Sequence, residues 1–292
     1  MIKYVRKHVF GDILCTFADN LNSFTYKMNN YRTSFLSSIP TVVKNLIAIN
    51  IILLLATNIL PSFLSRWGVN IDLTDILGMH YWASEKFNLT QLISYMFMHG
   101  GWSHLFFNMF ALYMFGGVLE NFWGPKRFLI YYLITGIGAG IVQQVFWTVE
   151  YYQVISALNQ AIAANSGETL IAYSHILEKY FKMSNLAFFK APDIIELKQM
   201  FLNLPVTVGA SGSVFGLLLA FGWLFPDVRL MMLFFPVPIK ARIFVMIYGI
   251  IELFLGVANF SGDSVAHFAH LGGMLFGIIL ILIWKKRPFN IR

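Results

Sequence analysis

Residues 208–216 read VGASGSVFG, and the run continues LLLAFGWLF to Phe225. Two serines and three glycines open a segment that is otherwise built for lipid. Each helical glycine costs about 1 kcal/mol relative to alanine, so the opening needs a compensating reason. The chain as a whole is 58% hydrophobic and 12% charged, against roughly 25% charged in an ordinary soluble domain. That excludes a soluble globular protein and makes 206–225 a membrane helix. The single cysteine, Cys15, excludes an intrachain disulfide, a CxxC redox pair and a cysteine-based metal site. The net charge of +7 marks cytoplasmic helix ends in a chain this apolar, so the expected partner is the lipid bilayer and not nucleic acid. Asp12 interrupts the first apolar stretch too early for a signal peptide.

Apolar runs recur at about 42–60, 103–120, 128–149, 206–225, 241–259 and 264–284. Most approach the ~20 residues that cross a ~30 Å hydrocarbon core. The expected fold is an all-α membrane protein with six transmembrane helices. A cytoplasmic tail is expected over 1–40 (Met28 being a second candidate start), the helical domain over 41–285, and a short cytoplasmic tail over 286–292. With the N-terminus inside, the cytoplasmic pieces carry 15 of the Lys and Arg residues and the outer pieces 6. This asymmetry puts both termini in the cytoplasm, with the cell (inner or plasma) membrane as the expected location.

In this orientation the second, fourth and sixth helices all run inward. His104 and Asn108 lie one turn apart at the start of the second. Ser211 is about the sixth residue of the fourth helix and His270 about the seventh of the sixth, so each lies ~10 Å below the outer boundary. Gly212, Gly216 and Ala220 form a small-residue stripe on the fourth helix, and Ala269, Gly273 and Gly277 form one on the sixth. Such stripes let membrane helices approach closely. Ser211 and His270 flank the two stripes, which suits a nucleophile and its base. Ser213 is a second candidate hydroxyl. No Asp or Glu lies in the same turns as Ser211 or His270, which favours a dyad over a triad.

HGGWSHLFFN over 99–108, GGVLE over 116–120, GASG over 209–212 and AHLGG over 269–273 together resemble the rhomboid intramembrane serine proteases. The similarity covers the six-helix core, roughly 41–285. It implies a serine endopeptidase with a Ser–His dyad that cuts transmembrane segments of membrane proteins near their outer end, without metal or other cofactor. By the resemblance Ser211 is the nucleophile and His270 the general base. His104, Asn108 and the backbone N–H of Ser211 form the oxyanion hole, and Gly209 lies beside the substrate. His99 and Glu120 organise the first outer loop and its anchoring. Phe215 stands where many members carry a tyrosine against the histidine. Thr90-Gln91 replaces a Trp-Arg pair found in part of the family. Residues 151–204 are a long insertion.

His267, three residues before His270, is the rival base, but His270 has glycines at +3 and +7 as the family motif does. Glu252, an intramembrane carboxylate, is read as a structural hydrogen-bonding group, with gating or substrate contact as the alternative. In the insertion Leu170, Tyr173, Leu177 and Phe181 share one helical face. A second helix opening at Pro192-Asp193 presents Ile194, Leu197 and Phe201. Short amphipathic helices lying on the outer membrane surface are expected there.

Rival classes are a catalytically silent rhomboid-like protein that binds membrane clients, a metal or haem protein, and a transporter. The first typically lacks the serine or the histidine. The second would use His99, His104, His267 and His270, but HExxH is absent. The third needs a polar path through the bundle, whereas the polar groups here concentrate in one half.

Overall fold

The computed structural model describes residues 38–178, 180, 186–232, 235–258 and 265–286. The tails assigned to 1–40 and 286–292 fall almost entirely outside them. One compact unit begins at Thr41. Its main helices are α1 (Thr41–Leu64), α2 (Trp102–Trp123), α3 (Pro125–Ala164), α4 (Ala191–Asn203), α5 (Ser211–Leu224), α6 (Ala241–Ala258) and α7 (His267–Lys286). Five of them, α1, α2, α3, α6 and α7, are long and apolar enough to cross a membrane among the described residues. With 14 residues, α5 spans only ~21 Å.

The short helix is the central one. Its neighbours are protein on every side: buried positions run almost without a break from Gly212 to Gly222, and α2, α3, α6 and α7 all pack on it. A helix apolar all round belongs in a core. The glycines permit that enclosure. A Cβ on Gly273 of α7 would run into the Gly212 carbonyl group of α5, so the two backbones touch directly. The expected stripe-to-stripe contact therefore holds at Gly212 and Gly273. Elsewhere the stripes face a third helix: Gly216 opposes Thr135 and Gly277 opposes the Tyr131 hydroxyl, both of α3. The Tyr131 hydroxyl also donates to the Gly216 carbonyl at 2.9 Å.

Glu120 corrects an expectation. It lies on the last turns of α2, some 24 Å along the helix from His104, and does not reach the loop between α1 and α2. Its buried carboxylate accepts the N–H groups of Val42 and Val43 at 2.9 and 2.8 Å. These are first-turn donors of α1 that its own helix leaves unpaired, and a negative charge suits that end of a helix.

That loop, 65–101, is held by two buried glutamines. Gln91 accepts from the His80 and Asn88 N–H groups at 3.2 and 3.3 Å and donates to the Ile76 and Lys86 carbonyls at 3.2 and 3.0 Å. Gln144 of α3 accepts from the Trp82 N–H and donates to the His80 carbonyl. Strand β1 (Met79–His80) pairs antiparallel with β2 (Val206–Thr207), His80 opposite Val206. The loop is thereby tied to the residues leading into α5.

The insertion differs from expectation in its first part. α3 continues as one helix of 40 residues to Ala164, where Asn165 closes it at φ 47°; asparagine tolerates that left-handed conformation. Leu170 and Leu177 are buried as their shared face suggests, Tyr173 only partly, and Phe181 lies outside the described residues. The second helix is α4. Pro192 stands in its first turn, and the Asp193 carboxylate accepts the Lys190 N–H at 2.9 Å. Ile194, Leu197 and Phe201 are buried, and Phe201 packs edge-on to Tyr151 of α3 at 5.1 Å. The apolar face of α4 is packed on the extended end of α3 rather than turned to lipid.

Replacing Gln91 with leucine strands the buried His80 N–H group, which costs about 1–3 kcal/mol, and removes the part-buried bonds to Asn88, Ile76 and Lys86. A clearly lower thermal unfolding midpoint in detergent is expected, and an unchanged midpoint would refute the bracing role. Gly273→Val forces α5 and α7 apart. The expected result is loss of monodisperse folded protein on gel filtration, and a variant eluting and melting like the parent would contradict the contact.

Candidate active site

Ser211 is the first residue of α5, not the sixth of a helix starting near 206. Residues 206–207 are held extended by pairing with β1, and the Gly209 N–H donates to the Tyr95 carbonyl at 2.9 Å. Gly209 has φ 131°, a conformation that favours glycine. A Cβ there would also stand 2.9 Å from the His104 ring. The weak helix opening of the sequence is thus an extended strap followed by a helix N-terminus. The first-turn N–H groups of α5, including that of Ser211, have no acceptor within the helix and favour negative charge beside them.

His270 is the fourth residue of α7. Its Nε2 lies 2.8 Å from Ser211 Oγ. Phe215, one turn beyond Ser211, stacks on the imidazole at 4.2 Å with planes 7° apart. The rivals are placed elsewhere. The Ser213 hydroxyl turns away and donates to the Tyr132 carbonyl at 2.8 Å, while His267 Nδ1 meets Glu252 Oε2 at 2.6 Å. Of two serines and two histidines, only Ser211 and His270 pair.

The same Glu252 oxygen meets His270 Nδ1 at 2.9 Å. A carboxylate therefore stands behind the imidazole, where the reading by helix turns expected none. Glu252 is on α6, so inspecting the turns around Ser211 and His270 could not reveal it. The available signal was a single acid within the apolar run IYGIIELFLG, a costly placement without partners. Glu252, His267 and His270 bring one atom each within 4.8 Å of one another, a spacing open to an ion. Both imidazole nitrogens lie at hydrogen-bond length from one oxygen, which is the pattern of two donors sharing a carboxylate.

His104 lies across Gly209 from Ser211. Its Nδ1 accepts a long hydrogen bond from the Gly100 N–H at 3.4 Å, which assigns the ring proton to Nε2, the nitrogen beside Gly209. His99 is buried edge-on against this ring at 5.0 Å. Burial, then the neighbouring His104, push the His99 pKa down to about 4, so it is neutral at physiological pH. Asn108 is buried one turn after His104 and donates one amide N–H to the His104 carbonyl at 2.9 Å; the amide carries a second. His99, His104, Gly209, Ser211, Phe215 and His270 thus gather around one helix start, with Asn108 one turn beyond His104, and Glu120 does not. A hydroxyl bonded to an imidazole, beside several N–H donors, can attack a carbonyl carbon and stabilise the resulting oxyanion.

Comparison with known proteins identifies the family. Residues 86–287 match the family model for the rhomboid domain. The chain is 24% identical over 200 residues to rhomboid-like protein 11, chloroplastic, of Arabidopsis thaliana, covering 68% of this chain and 53% of that protein. It is 28% identical over 229 residues to the uncharacterized rhomboid protein P4H10.10, mitochondrial, of Schizosaccharomyces pombe, covering 72% and 56%. The chain spans about half the length of the curated relatives it matches. A rhomboid-domain match over more than two thirds of the chain, on a bundle of membrane-grade helices, makes the chain a member of the rhomboid family.

Proposed function

We propose that this protein is an intramembrane serine endopeptidase that cleaves transmembrane segments of other membrane proteins. The observation that carries the reading is the 2.8 Å contact between Ser211 Oγ and His270 Nε2 at the N-terminus of the enclosed helix α5. His270 Nε2 takes the Ser211 proton as Oγ bonds to the scissile carbonyl carbon. The same proton then passes to the departing amine, and water, activated by His270, hydrolyses the acyl-enzyme. The Ser211 N–H, His104 Nε2–H and the second amide N–H of Asn108 supply the oxyanion donors, and Gly209 lets substrate backbone pass beside them.

The reading includes six crossings. α5, walled by protein, has no need to match the lipid thickness. The Lys and Arg bias supports both ends of the six-helix core on one side and the site near the other, facing the outer ends of substrate segments. The two relatives bear organellar names, chloroplastic and mitochondrial; imaging of a fluorescent fusion tests the cell-membrane expectation. Trimming 166–190 while monitoring substrate choice tests whether the insertion shapes entry.

Ser211→Ala and His270→Ala are each expected to abolish cleavage of a transmembrane reporter while leaving insertion and the unfolding midpoint intact. The double variant should be no worse than either, because the pair acts as a unit. Cleavage by Ser211→Ala at the parental rate excludes the mechanism. Absence of cleavage and of fluorophosphonate labelling in the parent itself would favour the silent, client-binding alternative.

Asn108→Ala is expected to lower turnover about 10²-fold without abolishing it, since other donors remain. Single-turnover kinetics on the same reporter read this, and unchanged turnover would remove Asn108 from the oxyanion hole.

A further inference from the structure

Glu252 is the group at this site that the dyad mechanism leaves unused. It reaches from α6 to α7, where His267 and His270 stand three residues apart on one face, and both aim Nδ1 at its Oε2. All three side chains are buried. A lone carboxylate in an apolar helix is costly, and here two imidazole N–H donors answer it. A structural clip between α6 and α7 would be served by His267 alone, through the shorter bond of 2.6 Å. The second bond falls on the one imidazole that also touches the serine.

The geometry points to Glu252 as a positioning residue that holds the Ser211–His270 pair ready for acyl transfer. This rests on the hydrolase reading above. A Nδ1–H donated to Glu252 fixes His270 in the tautomer whose Nε2 lone pair faces Ser211 Oγ. When Nε2 takes the serine proton, the imidazolium keeps its Nδ1 proton and the carboxylate stays ionised beside it. The Oγ–carbon bond forms as the carbonyl π bond opens, so protons and electrons balance without any further reactant. Phe215 fixes the plane of the ring and Glu252 its rotation within that plane. His267, on the same oxygen, holds the carboxylate in register with α7. Beyond the cluster itself, among the described residues, His104 on α2 acts electrostatically on His270, and Tyr248, one turn before Glu252 on α6, packs against Phe215.

The test measures three quantities for each protein: the rate of fluorophosphonate labelling of Ser211, kcat and KM on the reporter, and the unfolding midpoint. Glu252→Gln keeps the shape and removes the charge. It is expected to label and turn over about 10²-fold more slowly, with KM and midpoint little changed. Glu252→Asp should recover part of the loss. His267→Gln, which leaves the Glu252–His270 bond in place, should cost only about fivefold. Parental labelling by Glu252→Gln overturns the inference. So does a slow rate that merely tracks a fallen midpoint, or His267→Gln proving slower than Glu252→Gln. If Glu252→Gln yields no folded protein, Glu252→Asp decides: slower labelling at an unchanged midpoint supports the inference and parental labelling overturns it. Labelling of the parent against Ser211→Ala checks the hydrolase reading separately, so the two can fail independently.

Discussion

The backbone contact between Gly212 and Gly273 is the constraint on which the rest depends. Ser211 immediately precedes the first glycine, and His270 lies one turn before the second. The 2.8 Å between their side chains is therefore a property of the helix crossing. On the far side Ala139 of α3 closes on Gly212, and Val142 on Gly272, so the crossing is set by three helices. Without hydrophobic driving force between helices in lipid, such close approach and the carbonyl contacts it permits are what hold a bundle together. The weak helix propensity of the opening glycines is offset by this proximity.

A second set of bonds fixes how α5 begins. Gln91 and Gln144 brace the loop before α2, the loop pairs with 206–207, and Gly209 bonds to Tyr95. Tyr95 in turn donates to the Gly136 carbonyl of α3 at 2.7 Å. Polar side chains here do what a soluble protein would assign to a sheet. They satisfy irregular backbone in the packed interior, where unpaired groups are expensive, so that an extended strap can end abruptly in a helix N-terminus.

Much of this was legible in the sequence because membrane helices are long apolar runs and their small residues repeat. Five spans match their expected runs apart from their ends, and α4 carries its Pro192-Asp193 pair in its first turn. The pairing of Ser211 with His270 was legible in the small-residue stripes beside them, although the depth count placed both too far into their helices. Contacts between elements distant in the chain were not legible. Nothing local in GGVLE says that Glu120 caps α1, and nothing around Thr90-Gln91 shows a glutamine making four backbone bonds. Glu252 announced itself as an anomaly, but only the packing of α6 on α7 says which histidines it serves. The true start of α5 was hidden because Val206, Thr207 and Val208 are as apolar as the helix they precede. A hydropathy run does not distinguish strand from helix.

α3 also sets a dimension. At 40 residues it is ~60 Å long, twice the ~30 Å of a hydrocarbon core, and α4 is fastened along its extended half. An unbroken rod of that length, gripped at Gly138 and Ala139 by the central helices, tilts as one piece. A sideways push on the docked segment is carried to the Gly212 crossing as a torque, without passing through a loop that could absorb it. The insertion is coupled to the bundle by stiffness, whatever else it touches.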